Sequence, residues 1–348
     1  MFDASPAGPA TGSTRWAVQR HENTARNVLR YFAYLFIALA LAFAVVAGVN
    51  NDVFFYRLAT EALIFGGFAM AVDLLLGFTG LLSLGHALYF GLGAYTSGLV
   101  LKEMAPSFWL AMGVTLLVAS IAGAVGGIIA IRARGVYFAL ITFGMAEVVA
   151  KIVYNTREIG GSDGIIGIPV ININFGLFSV NSNHAPAFFL LVLALIMGLY
   201  FLLEALLQTP FGRLVKAIRA NEGRVAFLGF DSRLIKLCVF ILASNVAALS
   251  GALYPMLRGF VSPELMFFNT SANAVITVIL GGVGTLIGPL YGSVILTGLK
   301  SIIGTYTEHH QIVIGTLFVV SVIFFPGGLI GYLRPRLNAW LARGEEKP

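Results

Sequence analysis

The chain of 348 residues is 58% hydrophobic and only 11% charged, and it contains 40 glycines and 28 phenylalanines. Soluble proteins carry about 25% charged residues, which is more than twice this fraction. The low charge and a mean hydropathy of +0.89 together exclude an ordinary soluble domain. The single cysteine, Cys238, excludes an intramolecular disulfide and a cysteine-based metal cluster.

Apolar runs of about 18 residues or more recur along the chain, and each can cross a hydrocarbon core about 30 Å thick as a helix. The pattern predicts an all-α polytopic membrane protein with about 8–10 transmembrane helices, some of them interrupted by glycine. Residues 1–30 are predicted to be a cytoplasmic tail, 31–330 the transmembrane domain and 331–348 a second cytoplasmic tail. The candidate spans in chain order are 31–49, 58–76, 81–101, 108–131, 136–154, 186–207, 234–257, 266–282, 284–303 and 311–330.

The distribution of Lys and Arg predicts which loops face the cytoplasm. With the N-terminus inside, fifteen of these residues lie in cytoplasmic segments, four in periplasmic segments and three within spans near their ends. Positive charge accumulates in the cytoplasmic loops of membrane proteins, so an N-in, C-in topology is predicted. The same bias explains the net charge of +6 without a nucleic-acid partner. Eight crossings with re-entrant segments fit this charge count nearly as well as ten crossings.

The longest connection in this topology, residues 155–185, is predicted to be periplasmic. It contains the sequence GGSDGIIGIP and further Asn and Ser residues. Such residues favour turns, so an ordered surface loop is predicted here instead of another span.

Two glycine-rich stretches interrupt the apolar pattern, at Gly77–Gly98 and Gly281–Gly292. Glycine lets helices approach closely, and it lets a helix break at membrane depth where the backbone is buried or lines a cavity. Tight helix packing explains the same residues without a break. The predicted helix breaks are Gly77, Gly80, Gly281, Gly284 and Pro289.

Polar side chains in the first glycine stretch and in the span at 136–154 are candidates for a substrate pathway. Ionisable groups inside a span are costly and often functional, and Glu147 is the deepest carboxylate in the predicted spans. An interhelical hydrogen bond for Glu147 and a packed, hydrogen-bonded His86 are the alternatives. The full candidate set is Ser83, His86, Tyr89, Tyr95, Thr142 and Glu147.

The most charged internal segment, Gln208–Arg233, lies between two apolar runs of membrane length. Thr209 and Pro210 predict a helix start, because a hydroxyl can cap the helix and proline is tolerated at its first position. Gly223 and Gly229 predict breaks, and hence two short helices. This amphipathic segment could bind a soluble partner or lie on anionic lipid headgroups. Helical spacing places Leu214, Ala217, Ile218, Val225 and Leu228 on one side.

No catalytic motif occurs in the sequence. The patterns G-x-x-x-x-G-K-[ST], H-E-x-x-H and G-x-S-x-G are absent, and His309–His310 lacks the additional ligands of a metal site. The chain is therefore predicted to be a non-enzymatic protein that binds no metal or cofactor itself.

Five segments taken together resemble the LivM-like permeases of ABC importers for branched-chain and other hydrophobic amino acids. They occur in the family's order and cover the chain from about residue 60 to 330. The resemblance implies alternating access in the bacterial inner membrane, with a cytoplasmic ATPase that binds ATP and Mg²⁺, a second related permease and a periplasmic substrate-binding protein. The segments are GFTGLLSLGHALYFGLGAY (77–95), RARGVYFALITFGMAEVV (132–149), GGSDGIIGIP (160–169), GRLVKAIRANEGRVAFLGF (212–230) and GGVGTLIGPLYGS (281–293).

In permeases of this kind, the loop corresponding to Gln208–Arg233 contacts the ATPase. Two positions depart from the family pattern: Gly223–Arg224 follows Glu222 where small residues are common, and Asp73 stands where Asn is common. The resemblance implies coupling roles for Arg213, Lys216, Arg219, Asn221, Glu222 and Gly229.

Two other functions remain consistent with the sequence. One is a proton-coupled secondary transporter that acts alone through Glu147, Asp73 or His86. The other is a urea or short-chain amide permease of the same superfamily. Neighbouring genes for an ATPase and a binding protein would favour an importer, and the ligand of that binding protein would identify the substrate.

Overall fold

A computed structural model describes residues 12–49, 52–174, 179–306, 310–324 and 327–333. Within these ranges the chain is mainly helical, which confirms the predicted all-α membrane class. The helices are α1 (Gly12–Val49), α2 (Val53–Asp73), α3 (Ala87–Leu99), α4 (Phe108–Ala130), α5 (Val136–Asn155), α6 (Ala185–Gln208), α7 (Pro210–Ala220), α8 (Glu222–Phe227), α9 (Ser232–Arg258), α10 (Phe268–Gly281), α11 (Gly288–Tyr306) and α12 (His310–Phe324). The short strands are β1 (Ile165–Ile166), β2 (Asn172–Asn174), β3 (Ser179–Asn181) and β4 (Phe260–Val261).

Six helices in the described ranges are long and apolar enough to cross a membrane: α1 from Val28, α2 with the π-helical turn Leu74–Thr79, α4, α5, α6 and α9. The remaining predicted spans in these ranges are shorter or begin later. The span predicted at 81–101 is helical only from Ala87, and that predicted at 266–282 is the 14-residue α10.

The predicted cytoplasmic tail, residues 1–30, is helical from Gly12 onward, so α1 begins before its membrane-spanning part. Residues 334–348, which make up nearly all of the other predicted tail, lie outside the described residues.

The centre of the bundle is formed by α2, α3 and α9. Burial differs between the helices when each is taken over its own most apolar stretch of 18 residues. In that stretch, 89% of the residues are buried in α2 and 61% in α9, but only 22% in α1 and 28% in α4. A side chain on Gly251 of α9 would collide with the carbonyl oxygen of Phe90, and one on Gly93 of α3 with that of Ala248. These two glycines therefore allow α3 and α9 to pack backbone to backbone.

The outer helices present apolar side chains to the surroundings. Leu117, Ile121, Val125 and Ile128 recur along one side of α4, and all are exposed. In water such a stripe would be unfavourable, whereas lipid tails solvate it. The exposed stripe thus marks the lipid-facing side of α4.

The connection at 155–185 is an ordered loop, as predicted, where the structure describes it. Its strand β1 pairs antiparallel with β4, with Ile165 opposite Val261. Strands β2 and β3 pair antiparallel, with Asn172 opposite Asn181. The loop is therefore held against the end of α9.

Charged groups gather at both ends of the bundle. At one end Arg30 of α1 donates to Glu204 of α6 over 2.7 Å, next to α7 and α8. At the other end Arg258 of α9 donates to Glu61 of α2, and Arg57 donates to Asn183 of the loop 155–185. The assignment of the first end to the cytoplasm stays a prediction from the charge distribution.

Candidate functional site

The charged segment between α6 and α9 folds as two short helices. The helix start predicted at Pro210 is confirmed, although the Thr209 hydroxyl donates to the Leu206 carbonyl and does not cap α7. The predicted break at Gly223 is wrong, because this residue lies inside α8. The break falls at Asn221, whose side chain accepts from the Arg224 N–H over 3.1 Å and caps α8.

The packed side of the two helices differs from the predicted one. Ile218 of α7 and Val225 of α8 are buried, as predicted, and Val215 of α7 is buried as well. Ala217 and Leu228, which were predicted on the packed side, are exposed. Because the chain is extended at Asn221, α8 starts with a new helical phase. A single helical wheel drawn through both helices therefore misplaces Leu228.

An apolar patch projects from the end of α8. Phe227 is 94% exposed, Leu228 74% and Phe230 47%. We call these three residues the α8 tip. Gly229, in the left-handed conformation with φ of +84°, turns the chain between them. Arg213 and Lys216 of α7 are also exposed, so the segment presents both apolar and positively charged side chains.

Glu222 fixes α8 to α9. One of its carboxylate oxygens accepts from Lys236 over 2.6 Å and from Ser232 over 3.0 Å. Partial burial would raise the pKa of Glu222, but these hydrogen bonds and the charges of Lys236 and Arg134 outweigh it and lower the pKa. The stabilisation is therefore present above the ordinary carboxyl pKa and is lost as pH falls through the lowered one.

Arg219 connects α7 to the first glycine stretch. Its guanidinium donates to the carbonyl oxygen of Gly77. It also lies beside Gly284, 3.3 Å from the point where a Cβ atom on that residue would be. A cation also stabilises a helix end, where carbonyl groups lack partners. Movement of α7 would therefore be transmitted directly to this helix end.

The two glycine stretches meet beside Arg219. The carboxylate of Asp73, fully buried, accepts from the Gly284 N–H over 2.6 Å and from the Leu286 N–H over 2.9 Å. Gly77 packs directly on Gly284. We call the three residues Asp73, Gly77 and Gly284 the glycine junction.

Three of the five predicted helix-break positions lie at helix ends or turns: Gly80 ends the π-helical turn Leu74–Thr79 with φ of +74°, Gly281 ends α10 and Gly284 turns the following loop with φ of +78°. Gly77 lies inside that π-helical turn, so the chain does not break at this residue. The break predicted at Pro289 is wrong, because Pro289 is the second residue of α11. Proline is favoured there, where its missing N–H has no partner in the helix.

The pathway candidates of the first glycine stretch lie in the core. Ser83 and His86 belong to the irregular segment before α3, and Tyr89 and Tyr95 are on α3. The Ser83 and Tyr95 hydroxyls are buried and lack a hydrogen-bond partner among the described residues, whereas His86 lies beside the Ala243 backbone and Tyr89 beside the Ser244 hydroxyl. The His86 and Tyr89 rings lie 5.1 Å apart. Buried polar groups without partners are costly, so the unpartnered side chains can bind water or a polar ligand.

Thr142 and Glu147 of α5 hold backbone groups. The Thr142 hydroxyl accepts from the Leu84 N–H over 3.2 Å and donates to the Ala139 carbonyl. Glu147 accepts from the N–H of Phe268, the first residue of α10, over 3.1 Å. These contacts agree with the structural alternative for Glu147, and they leave a role in a pathway as a prediction.

Comparison with known proteins identifies the family. Residues 54–322 match the family model described as branched-chain amino acid transport system / permease component. The high-affinity branched-chain amino acid transport system permease protein LivM of Escherichia coli is 30% identical over 346 residues, which cover 93% of this chain and 80% of the relative. The chain belongs to the LivM-like permeases.

Two further relatives show the breadth of this similarity. The high-affinity branched-chain amino acid transport system permease protein LivH of E. coli is 23% identical over 80% of this chain and 93% of its own length. The D-allose transport system permease AlsC of E. coli is 28% identical over 66% of this chain and 70% of its own length. No solved structure matches the chain. The family match and the six helices in the described ranges that are long enough to cross a membrane identify this LivM-like permease as a multi-pass inner-membrane protein.

Several residues that position the site of this LivM-like permease were not anticipated. Ser271 of α10 accepts from the Ala87 N–H over 2.9 Å and so supports the first turn of α3. Ser232 and Lys236 hold Glu222. Each is an ordinary polar residue at the edge of an apolar run, and only the tertiary contacts reveal its role.

Proposed function

We propose that this LivM-like permease is the transmembrane subunit of an ATP-driven importer for branched-chain or other hydrophobic amino acids. ATP and Mg²⁺ bind to a separate cytoplasmic ATPase, and the permease itself is not an enzyme. A second related permease completes the membrane part, and a periplasmic binding protein delivers the substrate. The E. coli relatives LivM and LivH, both named as permease proteins of a high-affinity branched-chain amino acid transport system, support a pair of related permeases.

The observation that carries this proposal is the α8 tip. Phe227 and Leu228 are largely exposed at the end of a charged segment that lies outside the membrane-competent helices. Apolar patches rimmed by polar residues mark protein or membrane contacts, and aromatic anchors supply much of the binding energy of protein interfaces. We propose that the α8 tip binds the ATPase.

The second step of the proposal is mechanical coupling by alternating access. ATP-driven movement of the ATPase pulls on α7 and α8. Arg219 passes the displacement to Gly77, and the glycine junction passes it to the loop before α11. Close glycine packing makes this contact stiff, so α2 and α11 move together and change the side of the membrane to which the transport pathway opens.

Truncation of the α8 tip is expected to abolish partner binding. In the double variant Phe227→Ser, Leu228→Ser, the ATPase co-expressed with the permease should no longer co-purify, and ATP-driven uptake should fall by about tenfold or more, since two interface anchors are lost. Co-purification and uptake of radiolabelled L-leucine measure the two effects.

The matched control is Val170→Ser, which replaces an exposed apolar residue in the loop 155–185 and should leave co-purification unchanged. These variants test docking more cleanly than Arg219→Glu or Glu222→Arg, because Arg219 and Glu222 make contacts within the chain. Survival of both co-purification and uptake in the double variant would show that the tip does not bind the ATPase.

A further inference from the structure

A cavity of about 440 Å³ lies between α2, α10 and α11, and small-molecule sites commonly measure roughly 300–1,000 Å³. On α2 its wall consists of every third or fourth residue, so one continuous face of this helix points into it. This face carries Phe54, Leu58, Glu61, Phe65 and Phe68. None of the pathway candidates predicted from the sequence lines this cavity.

The opposite wall is polar at the same helical spacing. Thr270, Asn273 and Thr277 of α10 and Thr297, Lys300 and Ser301 of α11 face the cavity. Polar residues in this membrane domain are costly unless a partner or a watery cavity solvates them. Two polar faces that converge on one space therefore point to a hydrated ligand site.

The charges in the cavity are separated and only partly paired. Glu61 accepts from Arg258 through Oε2 over 2.5 Å, and its Oε1 makes no hydrogen bond to a described residue. Lys300 makes no ion pair or hydrogen bond within the part of the chain that the structure describes. The cavity thus offers one free carboxylate oxygen and one free ammonium group.

We propose that this cavity binds the head group of a zwitterionic α-amino acid. Lys300 receives the substrate carboxylate, Glu61 receives its ammonium group through Oε1, and the apolar side chain packs against Leu58, Phe65 and Phe68. Charge-assisted hydrogen bonds of this kind are stronger than neutral ones. The proposal rests on the proposed function, because that function supplies an amino acid as the substrate.

The location fits substrate entry from the end of the bundle that carries the loop 155–185. Arg258, at the end of α9, lines the cavity, and β4 directly after it pairs with β1 of that loop. Phe68 and Ser293 line its inner part, and Ser293 donates to the Ala62 carbonyl of α2. A substrate released above Arg258 would therefore pass between α2 and α11, the two helices joined by the glycine junction.

The test measures protection of an introduced cysteine in the purified permease. Cys238→Ser removes the chain's single cysteine, and Thr297→Cys or Ser301→Cys then places a thiol in the cavity. L-leucine is expected to slow maleimide labelling at either position by about tenfold. Leucinamide, which lacks the carboxylate, and 4-methylpentanoate, which lacks the amine, should not protect. A cysteine at Val170, in the loop, is the control and should label at the same rate with and without L-leucine.

Charge-removing variants complete the test. Lys300→Met and Glu61→Gln should each abolish protection by L-leucine, whereas Lys102→Met, which changes an exposed lysine outside the cavity, should retain it. Absence of labelling at both cavity positions, absence of protection, equal protection by 4-methylpentanoate, or protection that survives both charge variants would overturn the proposal. Co-purification of the ATPase is measured on the same samples, so loss of the site and loss of the importer function are distinguished.

Discussion

Replacement of Gly77 by alanine is expected to destabilise the permease more than any other single methyl addition in the glycine junction. The new Cβ would lie 2.5 Å from the backbone nitrogen of Gly284 and 2.6 Å from its Cα. Both contacts are to backbone, so the two chain segments must separate. Overpacking of this kind costs about 1–3 kcal/mol or more, and the separation also weakens the hydrogen bond from Arg219. Thermal unfolding in detergent should show a lower Tm, and uptake should be lost.

Gly198→Ala is the matched control for this variant. Gly198 lies inside α6, and a Cβ there meets nothing within 4 Å. Alanine is better than glycine in a helix by roughly 0.5–1 kcal/mol, so the control should unfold at the same or a higher temperature. A Gly77→Ala variant as stable and active as this control would show that the two glycine stretches are not in close contact.

Replacement of Asp73 by alanine is expected to destabilise the permease at least as much. The N–H groups of Gly284 and Leu286 would lose their acceptor, and each unsatisfied buried group costs about 1–3 kcal/mol. Asp73→Asn keeps one acceptor oxygen and should fall between the wild type and Asp73→Ala. The order of the three proteins in thermal unfolding, and their uptake rates, measure the effect.

Thr60→Val serves as the control for the loss of a buried polar group. Among the described residues, the Thr60 hydroxyl donates only to the Tyr56 carbonyl of its own helix, over 2.7 Å, and an i−4 contact of this type contributes little to stability. The valine variant should resemble the wild type. Equal stability of Asp73→Ala and Thr60→Val would contradict the role of Asp73 as the acceptor for the Gly284 and Leu286 N–H groups.

The sequence was sufficient for the membrane class because apolar length is a local property. The spans at 53–79, 108–130, 136–155, 185–208 and 232–258 follow directly from runs that match the hydrocarbon thickness. The start of α7 was also predictable, because Pro210 acts locally at a helix N-terminus.

Tertiary contacts explain what the sequence could not show. The loose similarity of the two glycine stretches became meaningful only when Gly77 and Gly284 were found in contact and Asp73 was found to bond to the second stretch. Similarly, Glu61 and Lys300 are 239 positions apart in the chain and face one cavity only because α2 packs on α11. Helical spacing defined each polar face, but no local pattern identified its partner.

The helical phase of α8 also differs from the one predicted from the sequence, for a local reason. Asn221 adopts an extended backbone conformation and restarts the helix, so the projection of Phe227 and Leu228 depends on one residue's dihedral angles. A pattern of apolar residues alone assigns such side chains to the packed face. Their exposure is the strongest reason to assign α8 to a partner.

The energy source of transport is the central question. Proteoliposomes that contain the permease with its co-expressed partners and the binding protein should take up L-leucine only with ATP on the ATPase side, and uptake should continue after the proton gradient is collapsed. Proton-driven uptake by this chain alone, without ATP or an ATPase, would contradict the importer and establish a secondary transporter.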